Sequence, residues 1–143
     1  MNRRDALLAV LAAADGNGYG PAQLQKALFL ISRNAPEIFD DGRGFNFTPY
    51  DYGPFDKNVY HVADALASEG LCSVNRSYNG YRTYSATEDG RNAGKRVLAS
   101  LEDQQRSYIE EVSRWVRSLS FAQLVKSIYQ AYPDTRKNSI FVG

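Results

Sequence analysis

The sequence contains a single cysteine, a single histidine and no apolar segment long enough to span a bilayer. Because Cys72 has no second cysteine to pair with, an intramolecular disulfide is excluded, which is typical of a reducing compartment. A transmembrane helix needs roughly 18 or more consecutive apolar residues. Near the N-terminus, Leu7, Leu8 and Leu11 share one face of a predicted helix, which favours an amphipathic first helix over a signal peptide. We therefore expect a cytoplasmic protein that makes no use of a membrane.

With one cysteine and one histidine, the sequence has few side chains that could act in catalysis or bind a metal. His61 is the only imidazole and there is no cysteine cluster, so a zinc site of known type is excluded. The glycine-rich segment GNGYG, residues 16–20, lacks the lysine of a phosphate-binding loop and follows no predicted strand. Adjacent acidic residues such as Asp40 and Asp41 are typical of a solvated surface. We predict no catalytic residue, no metal and no cofactor, and an enzyme is the least favoured of three interpretations.

Length and charge are those of an ordinary globular domain. The 143 residues fit one hydrophobic core. The formal net charge is +1, with 8 basic and 11 acidic side chains in residues 1–90 against 9 and 5 in residues 91–143. This mild asymmetry does not by itself indicate a nucleic-acid-binding protein, although it is compatible with a local basic surface.

Hydrophobic periodicity predicts three helices before residue 70. The first runs from about Arg3 to Ala14 and ends at the glycine-rich segment. The second, PAQLQKALFLISRN, begins at Pro21, because proline suits the first helical turn. The third is predicted over Pro54–Glu69, with Gly53 as its N-cap. Its outer face is predicted to carry Asp56, Lys57, Tyr60, His61 and Asp64.

A β-hairpin is predicted next, with strands over Leu71–Val74 and Tyr81–Ala86. The Asn79–Gly80 pair between them is a strong hairpin signal. One long helix is predicted from Arg91 to Leu119, roughly 40 Å long at ~1.5 Å per residue, with a break near Gly94. A last helix, FAQLVKSIYQAY, is capped by Ser120.

Apolar residues of the long helix alternate at spacings of four and three. This spacing indicates a coiled-coil-like seam, which would join two subunits of a homodimer or pack equally well within its own domain. The predicted seam consists of Leu101, Tyr108, Val112, Trp115 and Leu119.

The order helix, helix, helix, hairpin, long helix is that of a winged helix-turn-helix. The predicted fold class is mainly α with a small β hairpin (α+β). Residues 1–90 form the winged-helix domain, and residues 91–143 form a C-terminal helical extension of the same compact unit. The third helix then lies where such folds place the recognition helix. The predicted DNA contacts are Lys57, Asn58, Tyr60 and His61 on this helix and Arg76, Ser77 and Arg82 on the hairpin.

The segments LQKALFLI (residues 24–31) and YDYGPFDKNVY (residues 50–60) lie about twenty residues apart. Together they resemble the Panacea-type family of antitoxin and phage-associated proteins, in which an L-Q-K helix is paired with a Y-G-P turn. The resemblance spans roughly residues 24–94 and implies a bacterial or phage protein that binds DNA or a protein partner. The residues that match the family pattern are Leu24, Gln25, Lys26, Tyr52, Gly53 and Pro54.

Two functions fit this sequence. The leading hypothesis is a homodimeric winged-helix regulator or antitoxin-like protein that binds double-stranded DNA through the third helix and the Arg76–Arg82 hairpin. The alternative is a winged-helix module that binds a toxin or defence effector and does not bind DNA. It is favoured by the tyrosines, ten in all and concentrated in residues 50–84, because exposed tyrosine is typical of protein interfaces.

Overall fold

The computed structural model describes residues 1–78 and 80–142. In these ranges the chain is mainly helical, with six α-helices and two short antiparallel hairpins, an α+β arrangement. The helices are α1 (Arg3–Ala13), α2 (Pro21–Asn34), α3 (Asn58–Ser68), α4 (Glu88–Ser100), α5 (Asp103–Ser118) and α6 (Phe121–Ala131). The strands are β1 (Thr48–Tyr50), β2 (Gly53–Phe55), β3 (Cys72–Arg76) and β4 (Arg82–Ala86). Within the described ranges, no helix combines the length and apolarity needed to cross a membrane.

Helix α1 lies at the centre of the hydrophobic core. It begins where predicted, because the Asn2 side chain accepts a hydrogen bond from the backbone N–H of Asp5 at 2.8 Å. Every residue from Ala6 to Ala12 is buried, so the helix is enclosed rather than amphipathic. Helix α4 packs along α1. A Cβ on Gly94 of α4 would lie 2.2 Å from the carbonyl oxygen of Leu8. The glycine therefore permits the close approach of α1 and α4.

Helix α2 confirms the sequence prediction at both ends. Pro21 occupies its first turn, and the Gln23 side chain accepts a hydrogen bond from the backbone N–H of Gly20 at 2.8 Å. All residues from Leu24 to Ser32 are buried, because α5, α6 and β2 pack around this helix. The buried stretch includes three polar side chains, Gln25, Lys26 and Ser32.

The Gly53–Pro54 pair does not begin a helix, so this prediction was wrong. It belongs to β2, which pairs with β1 so that Tyr50 lies opposite Gly53. Gly53 has a φ of +106°, a left-handed conformation that favours glycine. Helix α3 begins at Asn58, whose backbone N–H donates to Asp56 Oδ1 at 2.9 Å. Asp56 is thus buried at the helix start and does not lie on its outer face.

Capping residues mark the ends of α3, α4 and α6, and the cap predicted at Ser120 is confirmed. Gly70 follows α3 with a φ of +77°, as expected for a glycine that terminates a helix. Thr87 Oγ1 accepts from the backbone N–H of Gly90 at 3.0 Å at the start of α4. Ser120 Oγ accepts from the backbone N–H of Gln123 at 3.2 Å at the start of α6.

The single helix predicted over Arg91–Leu119 is in fact two helices. The chain turns at Leu101 and Glu102, and the backbone N–H of Glu102 donates to Gln105 Oε1 at 3.2 Å, which caps α5. Gly94, where a break was predicted, lies inside α4. Since neither glycine nor proline marks the true break, helical periodicity continued across it without a visible interruption.

The predicted dimer seam is divided between the core and the surface of the same chain. Val112 is buried, and Tyr108 donates its hydroxyl to the backbone carbonyl of Leu30 on α2 at 3.3 Å. Helix α5 thus packs against α2 in its own chain. The other predicted members lie at helix ends or at the surface: Leu101, Leu119 and Trp115. The homodimer stays a prediction. The continuous seam on which it was based is not formed by these residues.

The hairpin of β3 and β4 is confirmed, with slightly different strand limits. Its register places Arg76 directly opposite Arg82. Cys72 is buried in β3, as expected of a small apolar strand residue. Burial raises the pKa of its thiol to about 11. The predicted turn residue Asn79 lies outside the described residues.

A third segment joins this hairpin. Tyr19, between α1 and α2, exchanges both backbone hydrogen bonds with Tyr84 of β4, at 2.8 and 2.9 Å. The Tyr19 hydroxyl also contacts the carbonyl oxygen of Val10 at 2.5 Å. The hairpin is therefore fixed to α1 by backbone and side-chain contacts.

Candidate functional site

The two segments that resemble the Panacea-type motif meet in the fold. Gln25 Nε2 donates to the backbone oxygen of Asp56 at 2.9 Å, and the Asp56 N–H donates to Gln25 Oε1 at 3.1 Å. These paired hydrogen bonds are buried and join α2 to the chain between β2 and α3. Gly53 and Pro54 of β2 then pass directly over Lys26.

Lys26 is a buried cation, with 4 % of its surface exposed. Its amine donates to the backbone oxygen of Pro54 at the long distance of 3.5 Å. Loss of hydration lowers the pKa of Lys26 from 10.5 to about 8, since burial disfavours the charged form. A Cβ on Gly53 would lie 3.4 Å from Lys26 Cε, an ordinary van der Waals contact, so the φ of +106° and not lack of space favours glycine here.

Lys26 lies at the floor of a concave pocket with a volume of about 290 Å³. We call it the Lys26 pocket. Helix α2, the β1–β2 hairpin, α3 and the start of α6 all contribute to it. Its aromatic walls are Tyr50, Tyr52, Phe55, Tyr60 and Phe121.

The aromatic walls are ordered by ring contacts. Tyr50 stacks on Phe55 with ring centroids 5.0 Å apart, and Tyr52 meets Phe121 edge to face at 5.1 Å. Tyr50, Tyr52 and Phe121 remain 52 %, 42 % and 47 % exposed, so the mouth of the pocket is open and aromatic. Sequence reasoning missed Tyr50, Phe55 and Phe121 as site residues. The dense aromatics of residues 50–55 were a signal for the first two, whereas Phe121 is brought in only by the folding of α6.

Tyr60 was predicted to lie on the outer face of the third helix as a DNA contact. It is instead half-buried, and its ring stacks on Tyr84 with centroids 6.0 Å apart. Burial raises the pKa of Tyr60 to about 12. Its hydroxyl interacts with Gln25, so Tyr60 connects the Lys26 pocket with α3 and β4.

A second region consists of side chains on α3 and on the β3–β4 hairpin, which the sequence predicts to be a wing. We call this region the α3–wing face. It is defined by Lys57, His61, Asp64, Arg76 and Arg82. Lys57, His61 and Arg76 are exposed and Arg82 is half-buried. The two remaining predicted contacts adjoin it: Asn58 is half-buried at the start of α3, and the backbone N–H of Ser77 donates to the Tyr81 carbonyl at 2.9 Å.

The α3–wing face carries fewer unpaired acidic side chains than the sequence predicted, so a phosphate group would be repelled less. Asp56 is buried and does not contribute to this face. Glu69 forms an ion pair with Arg4 at 2.9 Å. Asp64 is exposed near Arg82, whose pKa is raised by a hydrogen bond to the Tyr84 hydroxyl and further by the Asp64 carboxylate.

A separate groove of about 690 Å³ lies between α2, α5 and α6. Leu30, Val112 and Trp115 contribute to its apolar wall, and its charged members, Glu111 and Arg114, are exposed. It therefore differs from the Lys26 pocket, whose floor holds a buried charge.

Across residues 1–78 and 80–142, no three or more His, Cys, Asp or Glu side chains converge as metal ligands. A scan against models of known protein families gives no match, and a search of curated proteins gives none either. The Panacea-type resemblance therefore stays a prediction that rests on the residues themselves.

Proposed function

We propose that this protein is a winged-helix regulator or antitoxin-like protein, of bacterial or phage origin, that binds double-stranded DNA through the α3–wing face. The observation that carries the proposal is the direct opposition of Arg76 and Arg82 on the hairpin. Opposed residues of an antiparallel pair project from the same face of the sheet, and like charges there repel each other. A phosphate backbone placed against both guanidinium groups would relieve this repulsion.

The position of the arginine pair also supports the proposal. Residues two apart in a strand share a face, so Arg82 lies on the same side of the hairpin as Tyr84. Tyr84 stacks against Tyr60 of α3, and this side therefore continues into α3. A duplex could touch the arginines together with Lys57 and His61 on the exposed side of the helix.

The element order further supports a winged helix. Three helices precede the hairpin in the chain, and the Tyr19 bridge ties the segment between α1 and α2 to β4. A hairpin anchored in this way would hold its arginines in a fixed position relative to α3. The β1–β2 hairpin is then an insertion between the second and third helices.

The salt dependence of DNA binding tests this proposal. Affinity of the wild type for a labelled duplex would be measured by fluorescence anisotropy across a salt series. Arg76→Ala/Arg82→Ala should weaken binding and reduce the slope of log affinity against log salt by roughly 2, since each phosphate contact contributes about 0.9. Arg114→Ala/Lys126→Ala, which removes two exposed charges from α5 and α6, is the matched control and should keep the wild-type slope. Absent or salt-insensitive binding by the wild type would refute DNA binding.

A second candidate function is a winged-helix module that binds a protein partner, such as a toxin or defence effector, without binding DNA. It is favoured by the three exposed rings at the mouth of the Lys26 pocket, Tyr50, Tyr52 and Phe121. Clustered aromatic side chains of this kind supply the cores of many protein interfaces. Selection from a displayed random-peptide library tests it. Peptides that bind the wild type and not Tyr52→Ala/Phe121→Ala would support this function, and failure to select any would count against it.

A further inference from the structure

The Lys26 pocket is built around a cation that the fold leaves without a counter-charge. Among the described residues, no carboxylate lies within 4.0 Å of the Lys26 amine. The amine can donate three hydrogen bonds, yet the backbone oxygen of Pro54, at 3.5 Å, is the acceptor it has in the described chain. Donor capacity therefore remains at the floor of the pocket.

The groups that face Lys26 from the surrounding elements do not neutralise it. Helix α3 contributes the phenol of Tyr60, and α6 contributes the ring of Tyr129, which lies near Gly53 beside the lysine stem. Asp51 lines the pocket from the β1–β2 turn, but its carboxylate makes no ion pair with Lys26. Burial of an uncompensated ammonium group is unfavourable, and an entering anion would offset that cost.

The dimensions and walls of the pocket restrict what can enter. A volume of about 290 Å³ is at the lower limit of small-molecule sites, which favours a small ligand over a large cofactor. Stacked and edge-to-face aromatic rings form the walls, and such rings favour a flat apolar body. A ligand that fits this pocket would therefore have one anionic group and one small planar or apolar portion.

We propose that the Lys26 pocket binds a small free organic acid, with its carboxylate on the Lys26 amine and its apolar body between the rings of Tyr52, Phe55 and Phe121. This site is separate in chemistry from the α3–wing face and does not depend on DNA binding. Tyr60 contacts both regions, so the ligand would bind against a residue of α3.

The proposal is tested with benzoate and its uncharged analogue benzamide, by isothermal titration calorimetry on the full chain. Benzoate should bind about ten-fold or more tightly than benzamide, because hydrogen bonds to a charged partner are the stronger ones. Lys26→Met should remove this preference, because it should weaken benzoate binding more than benzamide binding. Lys126→Met, the same substitution at an exposed position of α6, should behave as the wild type. Amide chemical shifts of Gly53 and Tyr60 should move on addition of benzoate in the wild type and not in Lys26→Met.

Three results would overturn the proposal. Equal affinity for benzoate and benzamide, or no saturable binding of benzoate, would show that the lysine does not select an anion. Benzoate binding that survives unchanged in Lys26→Met would place the site elsewhere. Binding of a short glutamate-containing peptide at least about ten-fold tighter than benzoate would assign the carboxylate to a partner protein instead of a free acid. None of these outcomes depends on whether the arginine pair binds DNA.

Discussion

The Lys26 pocket and the α3–wing face are constructed in opposite ways. The elements around the pocket are distant in sequence and are held together by buried hydrogen bonds, such as those between Gln25 and Asp56. The α3–wing face comes from one continuous stretch, and its charged side chains project into solvent around a local hairpin. Substitutions in the pocket should therefore change stability, whereas those on the α3–wing face should mainly change binding.

The largest stability difference is expected between two aspartates at α3. Asp56 is buried and accepts the part-buried backbone N–H groups of Asn46 and Asn58 at 2.8 and 2.9 Å, so Asp56→Ala removes two hydrogen bonds to a charged acceptor. We expect a loss of about 3–5 kcal/mol in the free energy of unfolding. Asp64→Ala, on the exposed side of the same helix, should change it by less than about 0.5 kcal/mol. Urea denaturation measures both, and equal effects would contradict the contrast.

Lys26→Met should stabilise the protein at neutral pH. The pKa of Lys26 is about 8 in the fold and 10.5 in the unfolded chain. Below pH 8 the amine is charged in both states, so the full cost of burying the charge, about 3 kcal/mol, is present. Between pH 8 and 10.5 the unfolded chain binds more protons, and wild-type stability relative to Lys26→Met therefore rises with pH.

Denaturation of both proteins at pH 7, 9 and 10.5 checks this prediction. The advantage of Lys26→Met should be greatest at pH 7 and nearly gone at pH 10.5. Lys57→Met, on the α3–wing face, is the control and should differ from the wild type by less than about 0.5 kcal/mol at pH 7. A wild type that is as stable as Lys26→Met at pH 7 would argue that the lysine is already neutralised.

Tyr60 belongs to both regions, and its hydroxyl should make a smaller contribution. Tyr60→Phe removes the interaction with Gln25 while keeping the ring stacked on Tyr84. We expect a loss of about 1 kcal/mol in unfolding free energy. Tyr78→Phe, at a fully exposed hairpin residue, should have no measurable effect in the same denaturation experiment. If Tyr60→Phe left the free energy of unfolding unchanged, the two regions would not be coupled through this hydroxyl.

The smallest stability effect is expected at the arginine pair. Because Arg76 and Arg82 repel each other across the hairpin, Arg76→Ala should raise the free energy of unfolding at low salt by a few tenths of a kcal/mol, and the melting temperature with it. Salt screens exposed charges, so the gain should vanish at about 1 M salt. A clear loss of stability in either salt condition would indicate a structural role for Arg76.

Local patterns predicted much of the secondary structure and part of the site. Apolar periodicity located α1, Pro21 located the start of α2 and Ser120 located the start of α6, because these signals act within one or two turns of a helix. The motif residues Gln25 and Lys26 were identified as a group with Gly53 and Pro54. Their contact could not be derived from spacing, since nothing local specifies which strand crosses α2.

The errors share a physical cause. Gly-Pro is acceptable both at a helix start and in a short edge strand, and pairing with β1 decided between them. The break at Leu101 and Glu102 carries no glycine or proline, so only the packing of α5 against α2 and α4 against α1 revealed it. Asp56 was assigned to the outer face of α3 because the helix start was misplaced, whereas Tyr60 is half-buried because the β3–β4 hairpin places Tyr84 against its ring.

The sequence by itself determined most of the helices, the β3–β4 hairpin and the scarcity of cysteine and histidine, because these follow from residue types and short-range periodicity. Only the tertiary structure decided that Lys26 is buried beneath Pro54 and surrounded by aromatic rings from four elements. Burial and charge compensation depend on the residues that long-range packing brings together. The pKa of Lys26 and the pocket above it are therefore properties of the fold.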